Sequence, residues 1–117
     1  MKLTEVRYSG VKPVDGYGPG FVRIGGQVYE GMVLTGVTGT SQWGGYEDAQ
    51  ALVALAGQVD VLLVGTGGEI AHIPAGLRRT IEAAGIGVEV MNSPAACRTY
   101  NVLLNEGRRV ALALIPV

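Results

Sequence analysis

The sequence predicts a single α/β domain with three layers and a mixed central sheet that contains parallel neighbours. Three features of the 117-residue chain lead to this class. From residue 46 onward, helical and strand-like apolar patterns alternate. Residues 59–64 are continuously apolar, as expected for a strand that is covered on both faces. Gly25-Gly26 separates two β-rich runs, which indicates an antiparallel hairpin in the N-terminal part.

The N-terminal part is predicted to contain strands and two glycine-rich or proline-rich loops. A short first strand is predicted at 4–9, and the hairpin strands at 21–24 and 27–37. The loops are predicted at 12–20 and 38–45 because prolines and glycines punctuate the chain there. The hairpin is expected to extend or cover the central sheet.

The rest of the chain is predicted as helix, strand, helix, strand, helix, strand. The helices are expected at 46–57, 74–85 and 93–107, and the strands at 59–64, 88–91 and 109–115. Asn92 or Ser93 can cap the third helix, and Pro94 suits its first turn. The last two strands and their helix form a predicted βαβ unit, with the two strands parallel and side by side.

Composition limits the classes of function. Hydrophobic residues make up 48% of the chain and charged residues only 16%, which predicts an exposed apolar patch and hence a protein partner or self-association. The net charge of −1 provides no basic surface for nucleic acid. No apolar run approaches the roughly 20 residues that cross a bilayer. The first residues lack the pattern of a secretion signal, so we expect a cytoplasmic location in a prokaryote.

A glycine turn, Gly65-Thr66-Gly67-Gly68, follows the buried strand at 59–64. It matches only half of a dinucleotide-binding fingerprint, because Ile70 occupies the third glycine position, and no phosphate-binding P-loop motif is present. A tight strand exit explains the turn. The alternative is a small-anion or ligand site shared with Asn92, Ser93 and Arg98 at the start of the third helix.

Cys97 has two interpretations. A helix start and the neighbouring Arg98 can lower a thiol pKa, which would make Cys97 reactive. Its spacing from Tyr100 and Leu104 instead predicts a buried stripe of the third helix. His72 is the only histidine and Cys97 the only cysteine, so the chain has no zinc set of its own. We expect no catalytic constellation, no metal and no cofactor.

Two further positions keep open interpretations. Glu89 lies inside an apolar strand and needs a partner such as Arg98 or Arg109 only if that strand is covered on both faces. Trp43, with Tyr46 nearby, is either a core anchor or a contact for a protein partner.

Residues 61–67 (VLLVGTG), Leu77-Arg78 and residues 85–116 resemble a widespread family of small domains of unknown biochemical activity. The family includes mitochondrial respiratory complex I (NADH:ubiquinone oxidoreductase) assembly factor 3 and the adipogenesis-associated single-domain protein. The resemblance implies a three-layer α/β fold with a mixed sheet and an assembly or interaction role. It supplies no catalytic residue, and it implies a mitochondrial location only by analogy. Asn92-Ser93 replaces the acidic residue and threonine expected there, and either pair can cap a helix.

The residues and the resemblance together favour a non-enzymatic interaction or assembly-factor-like module, which could form a homo-oligomer. The alternative is a small-ligand or anion-binding protein, or a minor enzyme, that uses the pocket at Gly65–Gly68 and Asn92–Arg98.

Overall fold

A computed structural model describes residues 11–117, so the strand predicted at 4–9 lies outside the described residues. These residues form two sheets and the helices that pack on them. The strands are β1 (Val14–Gly18), β2 (Phe21–Ile24), β3 (Gln27–Glu30), β4 (Val33–Gly36), β5 (Gly39–Gln42), β6 (Val61–Thr66), β7 (Gly87–Met91) and β8 (Val110–Ile115). The helices are α1 (Ala49–Val53), α2 (Ala75–Ala83) and α3 (Ser93–Asn105), with a 3₁₀ turn at Gly45–Glu47 before α1.

The central sheet has five strands in the order β5-β4-β8-β6-β7. Strand β6 is parallel to both β7 and β8, whereas β8 is antiparallel to β4. Leu62, Leu63 and Val64 of β6 are all buried, because helices or strands cover both faces of this strand. The predicted α/β class with a mixed sheet and parallel neighbours is therefore confirmed.

The predicted pairing of the last two strands is wrong. Strands β7 and β8 are parallel, but they do not touch, since β6 lies between them and pairs with both. Strand β6 takes the position between them because its backbone pairs with both strands and its side chains pack into the apolar core on both faces of the sheet. Helix α3 therefore crosses over β6 on its way from β7 to β8.

Two apolar clusters form the layers on either side of the central sheet. The first joins the sheet to α1 and α2 and contains Leu52, Leu77 and Ile81 together with Leu62 and Val64. The second joins the opposite face of the sheet to α3 and to a separate three-stranded antiparallel sheet, β1-β2-β3. The N-terminal hairpin thus covers the central sheet and does not extend it.

Several predicted boundaries in the N-terminal half are wrong. The loop predicted at 12–20 contains β1, which pairs with β2 through its backbone although two of its five residues are glycines. The loop predicted at 38–45 contains β5, an edge strand with a polar sequence. The single strand predicted at 27–37 is split into β3 and β4 at Gly31, whose φ of +80° turns the chain. The helix predicted at 46–57 is shorter than expected at both ends, because the 3₁₀ turn takes its first residues and the chain after Val53 continues as turns.

An asparagine side chain holds the small sheet against α3. The Asn101 amide donates through Nδ2 to the Val14 carbonyl oxygen at 2.8 Å, and the Val14 N–H donates to Asn101 Oδ1 at 2.9 Å. This pair of bonds imitates the pairing of a neighbouring strand. It fixes β1 on the helix that also carries Cys97 and Arg98.

Candidate functional site

The structure brings together six of the predicted site residues at the carboxyl ends of β6 and β7. Gly65 and Thr66 end β6, Gly67 and Gly68 begin the loop that follows, and Asn92 and Ser93 begin α3. The carboxyl ends of parallel strands are the usual location of ligand sites in α/β sheets. The geometry at this edge therefore decides what the residues can do.

Ser93 makes hydrogen bonds to two other chain segments at this edge. Its hydroxyl donates to the Ile115 carbonyl oxygen at 2.5 Å and accepts a hydrogen bond from the Gly67 N–H at 2.8 Å. Its own N–H donates to the Gly67 carbonyl oxygen at 2.7 Å. Ser93 is only 3% exposed, so these bonds satisfy polar groups that water does not reach. The side chain joins the β6 exit, the start of α3 and the end of β8.

Thr66 organises the loop after β6 in a similar way. Its Oγ1 donates to the Glu69 carbonyl oxygen at 2.7 Å and accepts a hydrogen bond from the Ala71 N–H at 3.1 Å. The Met91 carbonyl oxygen lies 3.3 Å from the same hydroxyl. Hydrogen bonds of the Thr66 side chain therefore hold this loop in its conformation.

The N–H groups in the first turn of α3 also have partners within the chain. Asn92 Oδ1 accepts a hydrogen bond from the Ala95 N–H at 2.8 Å, which confirms Asn92 as the cap. The Ala96 N–H donates to the Asn92 carbonyl oxygen at 2.9 Å, and Pro94 has no N–H. An anion at this turn would have to compete with these bonds. Anion binding at Gly65–Gly68, Asn92 and Ser93 stays a prediction.

Arg98 lies in a different place from the glycine turn. Its exposed side chain lines a cleft of about 180 Å³ between α3 and β1, together with Asp15, Tyr17, Cys97 and Asn101. Asp15 accepts a hydrogen bond from the Gly26 N–H at 2.5 Å. The predicted grouping of Arg98 with the glycine turn around one cavity does not occur in this structure, because Arg98 projects from the flank of α3 that faces β1.

Cys97 lies at the base of that cleft and is 3% exposed. It packs with Tyr100 and Leu104 in the apolar cluster beneath α3, so its predicted place in the buried stripe of the helix is confirmed. Burial raises the pKa of the Cys97 thiol to about 11, although the charge of Arg98 acts in the opposite direction. His72 lines another cleft, so the structure does not bring the two side chains together. A reactive thiol at Cys97 stays a prediction.

Trp43 occupies the core. It is 3% exposed, and its ring makes an edge-to-face contact with Tyr46, with centroids 6.0 Å apart and planes at 72°. Burial also raises the pKa of Tyr46. This placement matches the core-anchor interpretation of Trp43. The role of Trp43 and Tyr46 as partner contacts stays a prediction. Of the two side chains, the half-buried Tyr46 has the larger surface that a partner could contact.

Glu89 is exposed on β7, an edge strand of the central sheet. Because its side chain is exposed to water, Glu89 needs no arginine partner. Arg109 pairs with Asp60, with 2.7 Å between Nη2 and Oδ1, and this hydrogen bond lowers the pKa of the Asp60 carboxyl.

Sequence reasoning missed a buried polar group between α3 and the central sheet. The Tyr100 hydroxyl is fully buried near Thr35, but it makes no hydrogen bond of regular geometry. Thr35 Oγ1 lies 2.7 Å from Thr40 Oγ1 on the neighbouring strand. Burial raises the pKa of Tyr100 to about 12. The threonines at 35 and 40 gave no signal, because the second of them lies in a stretch predicted to be a loop.

Residues 11–117 contain neither a metal-binding cluster of side chains nor a helix that could span a membrane. No group of three or more histidine, cysteine, aspartate or glutamate side chains in this range is placed to hold a metal ion. Likewise, none of the helices in this range has the length and apolarity to cross a membrane.

The fold and this edge define a three-layer α/β domain whose strand-end loops are closed by hydrogen bonds of its own chain. The chain belongs to the family described as protein of unknown function (DUF498/DUF598), whose model matches residues 14–115. This result confirms the resemblance derived from residues 61–67 and 85–116.

Individual relatives agree with this assignment. An uncharacterised protein of Rhodobacter capsulatus is 51% identical over 117 residues, which is all of this chain and 94% of the relative. NADH dehydrogenase [ubiquinone] 1 alpha subcomplex assembly factor 3 of Bos taurus is 33% identical over 111 residues, covering 88% of this chain. The chain spans 60% of the length of that assembly factor. A crystal structure described as an outer membrane protein from Bartonella henselae has a TM-score of 0.85 and 34% identity, with 94% of this chain and 98% of that chain covered.

Proposed function

We propose that this protein is a non-enzymatic interaction module that assists the assembly of a protein complex. The observation that carries the proposal is the relationship to the complex I assembly factors, which extends over 88% of this chain. The closed edge around Ser93 supports it, because the polar groups there stabilise the fold and have their partners within the chain. By analogy with those relatives, the client is an NADH dehydrogenase, and the proposed location is the bacterial cytoplasm.

The proposed partner surface is an apolar cleft of about 220 Å³ beside the edge strand β7. Ile70, Ala71, His72 and Val90 line it, and Ile70 is 65% exposed. Among the large apolar side chains of residues 11–117, Ile70 has the largest exposed fraction, so a partner that covers it would gain the free energy of apolar burial.

The charge beside the cleft indicates the chemistry of the partner. Glu69 precedes Ile70, and its side chain is exposed. The fitting occupant is a segment of a client subunit that inserts an apolar side chain between Ile70 and Val90. A lysine or arginine on that segment would lie near the Glu69 carboxylate.

Gene replacement tests the proposal. The gene for the Rhodobacter capsulatus relative is deleted, and this chain is supplied in its place. We expect the deletion to reduce the amount of fully assembled NADH dehydrogenase on native gels, and this chain to restore it. Ile70→Asp should fail to restore assembly, whereas Val102→Asp should restore it, since Val102 is 54% exposed on the outer side of α3. Unchanged assembly in the deletion strain would overturn the assembly role. Equal rescue by both variants would overturn the cleft alone.

A further inference from the structure

The outer face of the three-stranded sheet carries an arrangement of side chains that is complementary to itself. In the register of this sheet, Gly16, Arg23 and Val28 form one cross-strand row, and Gly18, Phe21 and Glu30 form the next. Cross-strand partners lie on the same face of a sheet. The opposite face carries Val22, which is fully buried, so these two rows face outward.

The outward face is concave and partly apolar. It forms a shallow depression of about 460 Å³ lined by Pro19, Gly20, Phe21, Arg23, Val28 and Glu30. Val28 is 53% exposed. The Phe21 ring lies over Gly18, where an added Cβ would be 2.5 Å from Cε2 of that ring. The two glycines of β1 therefore add no side chain to this face, and the Phe21 ring covers Gly18.

The two charges on this face have no partner within the described chain. Arg23 and Glu30 lie on one diagonal of the four side chains at the centre of the face, and Phe21 and Val28 lie on the other. The ion pairs among residues 11–117 involve other residues, so Arg23 and Glu30 pair neither with each other nor with a further side chain.

A two-fold axis along the Phe21–Val28 diagonal matches this arrangement. Such an axis places Phe21 against Phe21 and Val28 against Val28 of a second copy. It also places each Arg23 against the Glu30 of the other copy, so two ion pairs flank an apolar centre. Symmetric dimers form through self-complementary patches of this kind. We propose that the outer face of β1-β2-β3 binds a second copy of this chain.

The area limits the strength of this dimer. Six lining residues are far fewer than the roughly 20–30 residues per partner of a stable interface. The dimer should therefore be reversible, with a dissociation constant on the order of 10–100 µM. Because the charged side chains that flank the apolar centre are exposed, added salt should weaken the association.

Charge reversal tests the proposal on the intact chain. Arg23→Glu places like charges opposite each other at both flanks, and so does Glu30→Arg. Sedimentation velocity is measured from about 1 µM to about 1 mM for the wild type and for each variant. We expect wild-type dimers and at least about tenfold weaker association for either variant alone. Both positions are exposed, so circular dichroism should show folded monomers.

Mixing the two variants gives the decisive result. The Arg23→Glu chain offers two glutamates and the Glu30→Arg chain offers two arginines, so an equimolar mixture should regain dimers that neither variant forms alone. Arg79→Glu, on exposed α2, is the matched control and should associate as the wild type does. A wild type that stays monomeric, or variants whose association is unchanged, would overturn the proposal. So would a mixture that remains monomeric.

This inference goes beyond the proposed function, because its partner is a second copy and not a client protein. The two proposals can fail separately. The charge-reversal mixture reports only on the dimer, and the gene replacement with Ile70→Asp reports only on the client.

Discussion

Ser93 and Gly67 are joined by reciprocal hydrogen bonds across the carboxyl edge of the central sheet. The Ser93 N–H donates to the Gly67 carbonyl oxygen at 2.7 Å, and the Gly67 N–H donates to Ser93 Oγ at 2.8 Å. The same hydroxyl donates to Ile115. The buried Ser93 side chain therefore fixes the positions of β6, α3 and β8 relative to one another.

Replacing this serine tests its structural role. Ser93→Ala leaves the Gly67 N–H and the Ile115 carbonyl oxygen without a partner in a buried environment. We expect the free energy of unfolding to fall by about 1–3 kcal/mol. Urea denaturation measures it. Ser41→Ala is the control, because Ser41 is exposed on β5 and should change stability by less than about 0.5 kcal/mol. Equal stability of the two variants would contradict the structural assignment of Ser93.

Gly65 provides a second test at the same edge. A Cβ added there would lie 2.6 Å from Leu114 Cδ1, 2.8 Å from Ser93 Oγ and 3.1 Å from Ser93 Cα. Helix α3 cannot approach β6 as closely when a methyl group is present, so Gly65→Ala should cost about 1–3 kcal/mol of unfolding free energy. Thermal or urea unfolding measures the loss. In Gly68→Ala the new methyl meets nothing within 4 Å, and that variant should remain close to the wild type.

Local elements of this fold could be predicted from the sequence, whereas the pairing of the strands could not. The pattern at residues 59–64 predicted a buried strand, and Asn92-Ser93-Pro94 predicted the start of α3, because apolar runs and caps are local signals. The position of β6 between β7 and β8 was not predictable in the same way. It depends on which strands pair, and pairing is decided by contacts between residues far apart in sequence.

The candidate site illustrates the same limit. The sequence grouped Gly65–Gly68 with Asn92 and Ser93 correctly in space, because all of them end or follow parallel strands. The hydrogen bonds of Ser93 could not be anticipated, since they involve Ile115 at the far end of the chain. Arg98 was grouped with the glycine turn because only five residues separate it from Ser93. One and a half helical turns place its side chain on the flank of α3 that faces β1.

Replacing Asn101 should destabilise the three-stranded sheet locally. Asn101→Ala removes both bonds to Val14, which joins β1 to α3. We expect a loss of about 1–2 kcal/mol, partly offset because alanine favours the helix more than asparagine does. Amide hydrogen exchange should show faster exchange at Val14 and little change at Leu63 in the central sheet. Val102→Ala, on the exposed side of the same helix, is the control. Uniform acceleration across both sheets would contradict a local role.

Burial of Cys97 and Tyr100 predicts that the protein loses stability at alkaline pH. Burial raises the pKa of the thiol to about 11 and that of the phenol to about 12. In the unfolded chain these groups ionise near their ordinary pKa values of 9.0 and 10.0. Between the unfolded and folded pKa values the unfolded chain binds fewer protons, so the free energy of unfolding falls as pH rises. The contribution is fully present below about pH 9 and is lost as the pH rises through the folded values.

Cys97→Ala isolates the part of this loss that belongs to the thiol. The variant loses some packing at all pH values, so the quantity to compare is the change in unfolding free energy between pH 8 and pH 10.5, measured by urea denaturation at each pH. The wild type should lose about 2 kcal/mol more than the variant over this interval. Tyr100→Phe should show the corresponding difference at higher pH. Parallel pH profiles for wild type and Cys97→Ala would mean that the thiol ionises in the folded protein, and the reactive-thiol interpretation of Cys97 would then be favoured over its role in the core.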